Sequence, residues 1–218
     1  YFCLDFESIF LVYGGGGAAP LPPAPPHKNN PPRGGLVQHF SAIADAVDVP
    51  VILYNVPVRT GIGCTVQTYQ ALAKHPNIVG VKEASDNFDL IQDTLNLCPP
   101  GFTVWSGNDG STTAIMALGG KGVISGNAMI VSEHYVAVRE AMARNDWASA
   151  TRLQRKTNVL NAILCAKNNI GCYKAILKQW GIIETARMRK PMEEVSTEDT
   201  AALMKALEEA EYKTVPAV

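Results

Sequence analysis

Ile78-Val79-Gly80-Val81-Lys82-Glu83-Ala84-Ser85 is an apolar run that ends on a lysine. A short β-branched run bounded by turn-type residues reads as a buried strand, which predicts Lys82 at the strand's carboxyl end. Burial disfavours the ammonium and lowers a lysine's pKa, freeing the amine to attack a carbonyl. The plainer alternative is a structural lysine paired with Glu83 or with a carboxylate on a neighbouring strand. Taken alone, these eight residues favour the plainer alternative, so the surrounding chain decides.

Working outward, the pattern is regular for over a hundred residues. Leu36, Phe40, Ile43, Ala44 and Val47 fall at helical spacing and lead through Pro50 into the apolar run Val51-Ile52-Leu53-Tyr54. The stretch 55–63 is turn-rich, and Thr65 is placed to cap a helix running to about Lys74. After the Lys82 strand, Asp86 or Asn87 caps a helix carrying Ile91, Leu95 and Cys98, which Pro99-Pro100-Gly101 stops. Phe102 to Ser106 reads as a third strand, 111–118 as a short helix, Gly122-Val123-Ile124-Ser125 as a fourth strand, and 132–143 as a further helix.

Four strand-helix units with short connections predict a parallel sheet covered or closed on both faces. The fold class is therefore α/β, with an open doubly wound sheet and a (β/α)8 barrel as the two candidates. In either, polar residues at strand carboxyl ends line the site, and Tyr54, Lys82, Ser106 and Ser125 are predicted there. Past Asn145 only helices are expected, at 147–166, 172–180 with Gly181 as its cap, and 197–210 with Ser196 or Thr197 at its start.

Upstream the composition changes. Ser8 to Tyr13 has strand character, and between Gly14 and Gly35 six glycines and seven prolines occupy 22 positions, a mixture that predicts a loop. The glycine run lacks the ending of a phosphate loop and the spacing of a dinucleotide fingerprint. Residue 1 is Tyr, and Asp5 and Glu7 stand where a signal peptide would carry positive charge, so the start reads as a truncation. The division expected is a divergent segment 1–35, a β/α barrel portion 36–144 and a helical region 145–218.

A formal charge of −1 gives no electrostatic footprint for nucleic acid. No apolar run approaches the roughly 20 residues that cross a bilayer. Five scattered cysteines without a C-x-x-C pair or zinc-type histidine spacing read as free thiols of a reducing cytosol, with no metal site.

With the strands placed, Tyr54-Asn55-Val56-Pro57-Val58-Arg59-Thr60-Gly61 puts a phenol at a strand end and a guanidinium five residues on, with Lys82 ending the next strand. This arrangement resembles the pyruvate-dependent class I aldolases of the dihydrodipicolinate synthase and N-acetylneuraminate lyase family. Trp105-Ser106-Gly107-Asn108-Asp109, Gly-Val-Ile-Ser at 122–125, the helix from Leu36 to Ala44 and Arg189-Lys190-Pro191-Met192 agree in order. The resemblance runs from about residue 26 to about residue 210, and within the family the pattern is most similar to dihydrodipicolinate synthases.

The resemblance implies a lyase of lysine and diaminopimelate biosynthesis, condensing pyruvate with aspartate semialdehyde. Lys82 would form the Schiff base with pyruvate, Tyr54 would shuttle protons, Arg59 would hold the aldehyde's carboxylate, and Gly107 and Ile124 would line the pyruvate pocket. It implies no cofactor beyond that covalent link, a homo-oligomer (dimer or tetramer) and a cytoplasmic location. On the residues alone, Tyr54 is equally a strand-end aromatic, Arg59 a solvated loop arginine, and Gly107 and Ile124 barrel packing.

There are departures. The family's strand-four element reads roughly P-Y-Y-N-x-P, where this chain has Pro26-His27-Lys28-Asn29-Asn30-Pro31. Both tyrosines are absent, and His27 is either a substitute proton carrier or a loop histidine. A complete barrel of this kind takes about 250 residues, so the expected fold is an incomplete barrel lacking its first strands and carrying a C-terminal helical extension. The family's G-T-T-G-E-like turn, whose threonines would bind pyruvate, has no counterpart. Two alternative functions stay open, an N-acetylneuraminate or 2-keto-3-deoxy sugar acid lyase and an inactive barrel remnant serving as an interaction module.

Overall fold

The computed structural model describes residues 32–165 and 169–212. The strand expected at 8–13, the element at 26–31 and most of the loop expected at 14–35 lie outside the described residues. The chain divides into two compact units between Ile124 and Ser125.

In the first unit, α1 (Arg33–Asp45) precedes β1 (Val51–Asn55), α2 (Pro57–Thr60), α3 (Val66–Leu72), β2 (Ile78–Glu83), α4 (Phe88–Leu97), β3 (Thr103–Ser106) and α5 (Thr112–Ala117). The strands pair in parallel in the order β1-β2-β3. Sequential order is that of the barrel candidate, and one half of a doubly wound sheet shares it. Right-handed crossovers between successive neighbours place every helix on one face, as in a barrel, whereas a doubly wound sheet reverses direction. The core shows that single face: Tyr69 and Leu72 of α3, Ile91 of α4 and Ile115 of α5 pack with Leu53, Val81 and Val104 of the three strands.

Caps set the helix starts. Thr65 accepts the Thr68 backbone N–H at 3.3 Å, Asn87 accepts that of Leu90 at 3.0 Å, and Ser196 that of Asp199 at 3.0 Å. Thr65→Ala is expected to lower the unfolding free energy by about 1 kcal/mol, read from urea denaturation; an unchanged midpoint would remove the cap from the account of α3. Of the two residues offered as the α4 cap, Asn87 serves. Asp86 instead takes a left-handed φ of 56° and accepts hydrogen bonds from Asn108 Nδ2 (2.6 Å) and Ser111 Oγ (3.3 Å).

Four expectations are corrected in this unit. Helix α1 begins at Arg33, inside the expected loop, because the Pro32 carbonyl accepts the Gly35 and Leu36 N–H groups and starts the turn. The turn at 55–63 contains α2, a single turn with Pro57 at its first position and Gly61 closing it at φ 73°. The fourth strand is reduced to one parallel bridge, Ser106 with Val123. Gly122, at φ 141°, bends the chain beside it. The 111–118 helix opens as a 3-10 turn, Asp109–Ser111, before α5.

The second unit contains α6 (Ala128–Ala143), α7 (Trp147–Cys165), α8 (Asn169–Gln179) and α9 (Thr197–Glu209). Helix α6 starts four residues before the expected Ser132, because Ser125 Oγ accepts the Ala128 N–H at 3.0 Å; a non-helical Val131 kinks it at that point. Leu160 and Leu164 of α7, Ile176 of α8 and Leu207 of α9 are fully buried. Gly181, at φ 72°, ends the helix before it as expected.

Candidate active site

Successive side chains on a strand point to opposite faces, and the register turns that rule into a site. Tyr54 lies opposite Lys82, and Lys82 opposite Trp105, at the carboxyl ends of β1, β2 and β3. Lys82 Nζ sits 4.0 Å from the centroid of the Tyr54 ring. Trp105 lies across Gly80, which has no side chain to obstruct it: a Cβ there would be 2.7 Å from the indole.

Lys82 is half-buried, and its pKa lies below the ordinary lysine value. Loss of water contacts is the largest cause and lowers it, the Asp109 carboxylate opposes by raising it, and the Arg59 guanidinium lowers it again. Arg59 therefore acts on Lys82 from α2, where Pro57 at the first position and Gly61 past the last fix the turn that carries it. Gly107 follows β3, and its N–H donates to the Glu83 carbonyl at 2.7 Å, while a Cβ would stand 2.5 Å from that of Ala84. The Ile124 N–H donates to the Ser106 carbonyl at 3.0 Å. Tyr54, Arg59, Lys82 and Gly107 thus lie at or just past the carboxyl ends of the three strands, and Ile124 follows the single bridge at Val123; Lys82 lies over Tyr54 and feels the Arg59 charge.

Two features escaped the sequence reading. Asp109, which the sequence pattern shows only as part of a turn, is the carboxylate that acts on Lys82. Glu83, offered as a partner for Lys82, points to the opposite face and binds Asn55, Tyr69 and the Ser85 N–H instead. Strand alternation alone carried that second signal, since adjacent residues cannot share a face.

The opposing neighbours give a signed expectation. Arg59→Met removes a cation that disfavours the ammonium, so the midpoint for acylation of Lys82 by acetic anhydride should move to higher pH. Asp109→Asn removes an anion that favours it, and the midpoint should move lower. Shifts in the same direction, or none, would show that these side chains do not set the ionisation of the amine.

Among the described residues no group of three His, Cys, Asp or Glu is arranged to hold a metal, and no described helix is long and apolar enough to cross a membrane. Cys64, Cys98 and Cys172 form no disulfide. Burial pushes the Cys64 thiol up to about 12, with the Glu83 carboxylate adding to the effect, and the Cys98 thiol up to about 11.

A half-buried lysine of lowered pKa beside a tyrosine, at the carboxyl end of a parallel sheet, can present a neutral amine to a carbonyl group. Residues 16–210 match the sequence pattern of the Dihydrodipicolinate synthetase family, and the chain belongs to that family. It is similar to the 4-hydroxy-tetrahydrodipicolinate synthase of Methanosphaerula palustris, 42% identical over 184 residues that make up 82% of this chain and 61% of that protein. It is likewise similar to the synthase of the same name from Exiguobacterium sibiricum, 40% identical over 71% of this chain and 53% of that one. Among solved structures, the chloride-inhibited dihydrodipicolinate synthase from Acinetobacter baumannii complexed with pyruvate superposes with a TM-score of 0.78 and 34% identity, over 86% of this chain and 64% of that one. The Thermotoga maritima enzyme gives 0.78 and 31%, over 85% and 64%. The fold is of the (β/α)8 barrel type, present here in part and followed by helices. The chain spans about a half to three fifths of the length of the curated relatives it matches.

Proposed function

We propose that this chain carries the Schiff-base centre of a pyruvate-dependent aldolase that condenses pyruvate with aspartate semialdehyde. The observation that carries the reading is the placement of the Lys82 amine, its pKa lowered by burial, over the ring of Tyr54. The names of the relatives and the pyruvate complex of a structural neighbour supply the substrate class.

In this reading the neutral Lys82 amine attacks the ketone carbon of pyruvate and gives a carbinolamine. Tyr54 delivers a proton to its oxygen, which leaves as water, and a protonated imine remains. The imine withdraws electrons from the adjacent methyl group. Loss of a methyl proton gives an enamine, whose carbon adds to the aldehyde. The Arg59 guanidinium holds the aldehyde's carboxylate through paired N–H donors, and Gly107 and Ile124 present backbone groups to pyruvate. No metal or diffusible cofactor takes part. A homo-oligomeric state, dimer or tetramer, and a cytoplasmic location belong to the same proposal and rest on the family.

The substrate choice is tested by following pyruvate. Consumption that requires aspartate semialdehyde is the expected result. Release of pyruvate from N-acetylneuraminate would reassign the site to the lyase branch, and neither activity would leave this chain without the condensation proposed.

A further inference from the structure

We propose that Glu83 and Asn55 form a positioning pair that holds Lys82 against Tyr54 from the opposite face of the sheet. The inference rests on the reading of Lys82 as the reacting amine and adds the residues that place it. Asn55 and Glu83 face one another one register step beyond Tyr54 and Lys82, so each member of the pair adjoins one member of the site along its own strand. Glu83 is 2% exposed and Asn55 4%. A carboxylate is almost never buried to that degree unless it is fully paired.

Glu83 is paired through both oxygens. Asn55 Nδ2 donates to each at 2.9 Å, the Tyr69 hydroxyl donates to Oε2 at 2.6 Å, and the Ser85 N–H donates to Oε1 at 2.9 Å. Asn55 Oδ1 in turn accepts the Cys64 N–H at 3.1 Å, which closes the segment carrying Arg59. The two backbones continue the pattern: the Ala84 N–H donates to the Asn55 carbonyl at 2.9 Å, and the Gly107 N–H to the Glu83 carbonyl at 2.7 Å. One buried pair therefore joins the ends of β1 and β2, the Arg59 segment and the turn after β3.

Stability alone does not account for such a group, because a buried ionic side chain is commonly no better than a well-packed apolar one. It does specify register. A one-residue slip of β2 would carry Lys82 to the helix-covered face and would leave Glu83 without Asn55. Glu83 acts through geometry, since the charges that act on Lys82 are those of Asp109 and Arg59. Burial, together with Cys64 and Glu83, keeps the Tyr69 phenol far above its ordinary pKa, so it remains a donor throughout the neutral range.

The test compares the wild-type chain, Glu83→Gln and the exchanged pair Asn55→Asp with Glu83→Gln. Two readouts are taken: the rate of borohydride-trapped pyruvate adduct against pyruvate concentration, and the NMR shift of the Lys82 ε-methylene, assigned by its loss in Lys82→Arg. The Tyr54 ring current should move that signal upfield in the wild type. Glu83→Gln sets an amide N–H against the donors that Glu83 accepts. Its far-UV spectrum should remain that of the wild type while the upfield shift shrinks and the maximal trapping rate falls about 10- to 100-fold. Half-saturating pyruvate should change by less than about threefold. The exchanged pair should restore both readouts. Glu83→Gln with wild-type shift and rate would overturn the inference. Should Glu83→Gln fail to fold, Tyr69→Phe removes one donor without adding another, and a shift unchanged there overturns it equally. A wild-type chain that shows the upfield signal but no adduct would instead sink the pyruvate chemistry and leave the positioning to be judged on the shift.

Discussion

Lys82→Arg is expected to abolish trapping of pyruvate by borohydride while leaving the chain folded. The two side chains share a long apolar stem and a terminal cation, so the half-buried position between Tyr54 and Trp105 remains filled. They differ in the one property the reaction needs. Burial lowers the lysine pKa and releases a neutral amine, whereas a guanidinium, with a pKa above about 12, stays protonated in proteins. No adjustment of Asp109 or Arg59 compensates for that. The expected loss is of the whole adduct, at least about 10³-fold in rate by the usual cost of removing a covalent nucleophile. An adduct that persists in Lys82→Arg would assign the amine to another lysine.

Gly80→Ala is expected to have the largest effect on folding. A Cβ at Gly80 would stand 2.1 Å from the Thr103 backbone oxygen, 2.8 Å from Thr103 Oγ1 and 2.7 Å from the Trp105 ring. The ring and hydroxyl could turn aside, but the carbonyl belongs to β3, and Gly80 is the register partner of Thr103. Relief means parting β2 from β3 directly below Lys82 and Trp105. The cost should be about 3 kcal/mol or more, at the upper end for overpacking, and the chain should unfold in far less urea or not fold at all. Gly101→Ala is the control, because nothing lies within 4 Å of its Cβ position, and its effect should stay within about 0.5 kcal/mol. Equal stabilities for the two variants would contradict the close approach of β2 and β3.

Where residues repeat with a clear period, the sequence was enough to place them. The three strands and the helices between them follow from apolar runs and helical spacing, and Lys82 reaches a strand end because Val79 and Val81 precede it and Ser85 closes the run. Elements set by a single turn were less legible. Helix α2 is four residues long, too short for a period to show, and the segment around Val123 has a strand's composition but a bend at Gly122 that leaves one bridge. The hydrogen-bond network behind the site was the least legible part. Glu83 is adjacent to Lys82 in sequence, which invited an ion pair, but its partners come from β1 and α3. Local spacing does not report such distant donors. The influence of Asp109 on Lys82 escaped for the same reason, since it depends on how the turn after β3 folds back beside β2.

The most direct measurement is a peptide map of the wild-type chain after incubation with pyruvate and borohydride. A single reduced pyruvyl adduct on the peptide containing Lys82 is the expected result. A folded chain with no adduct, or with the adduct on another lysine such as Lys74 or Lys121, would contradict the assignment of the Schiff base to Lys82.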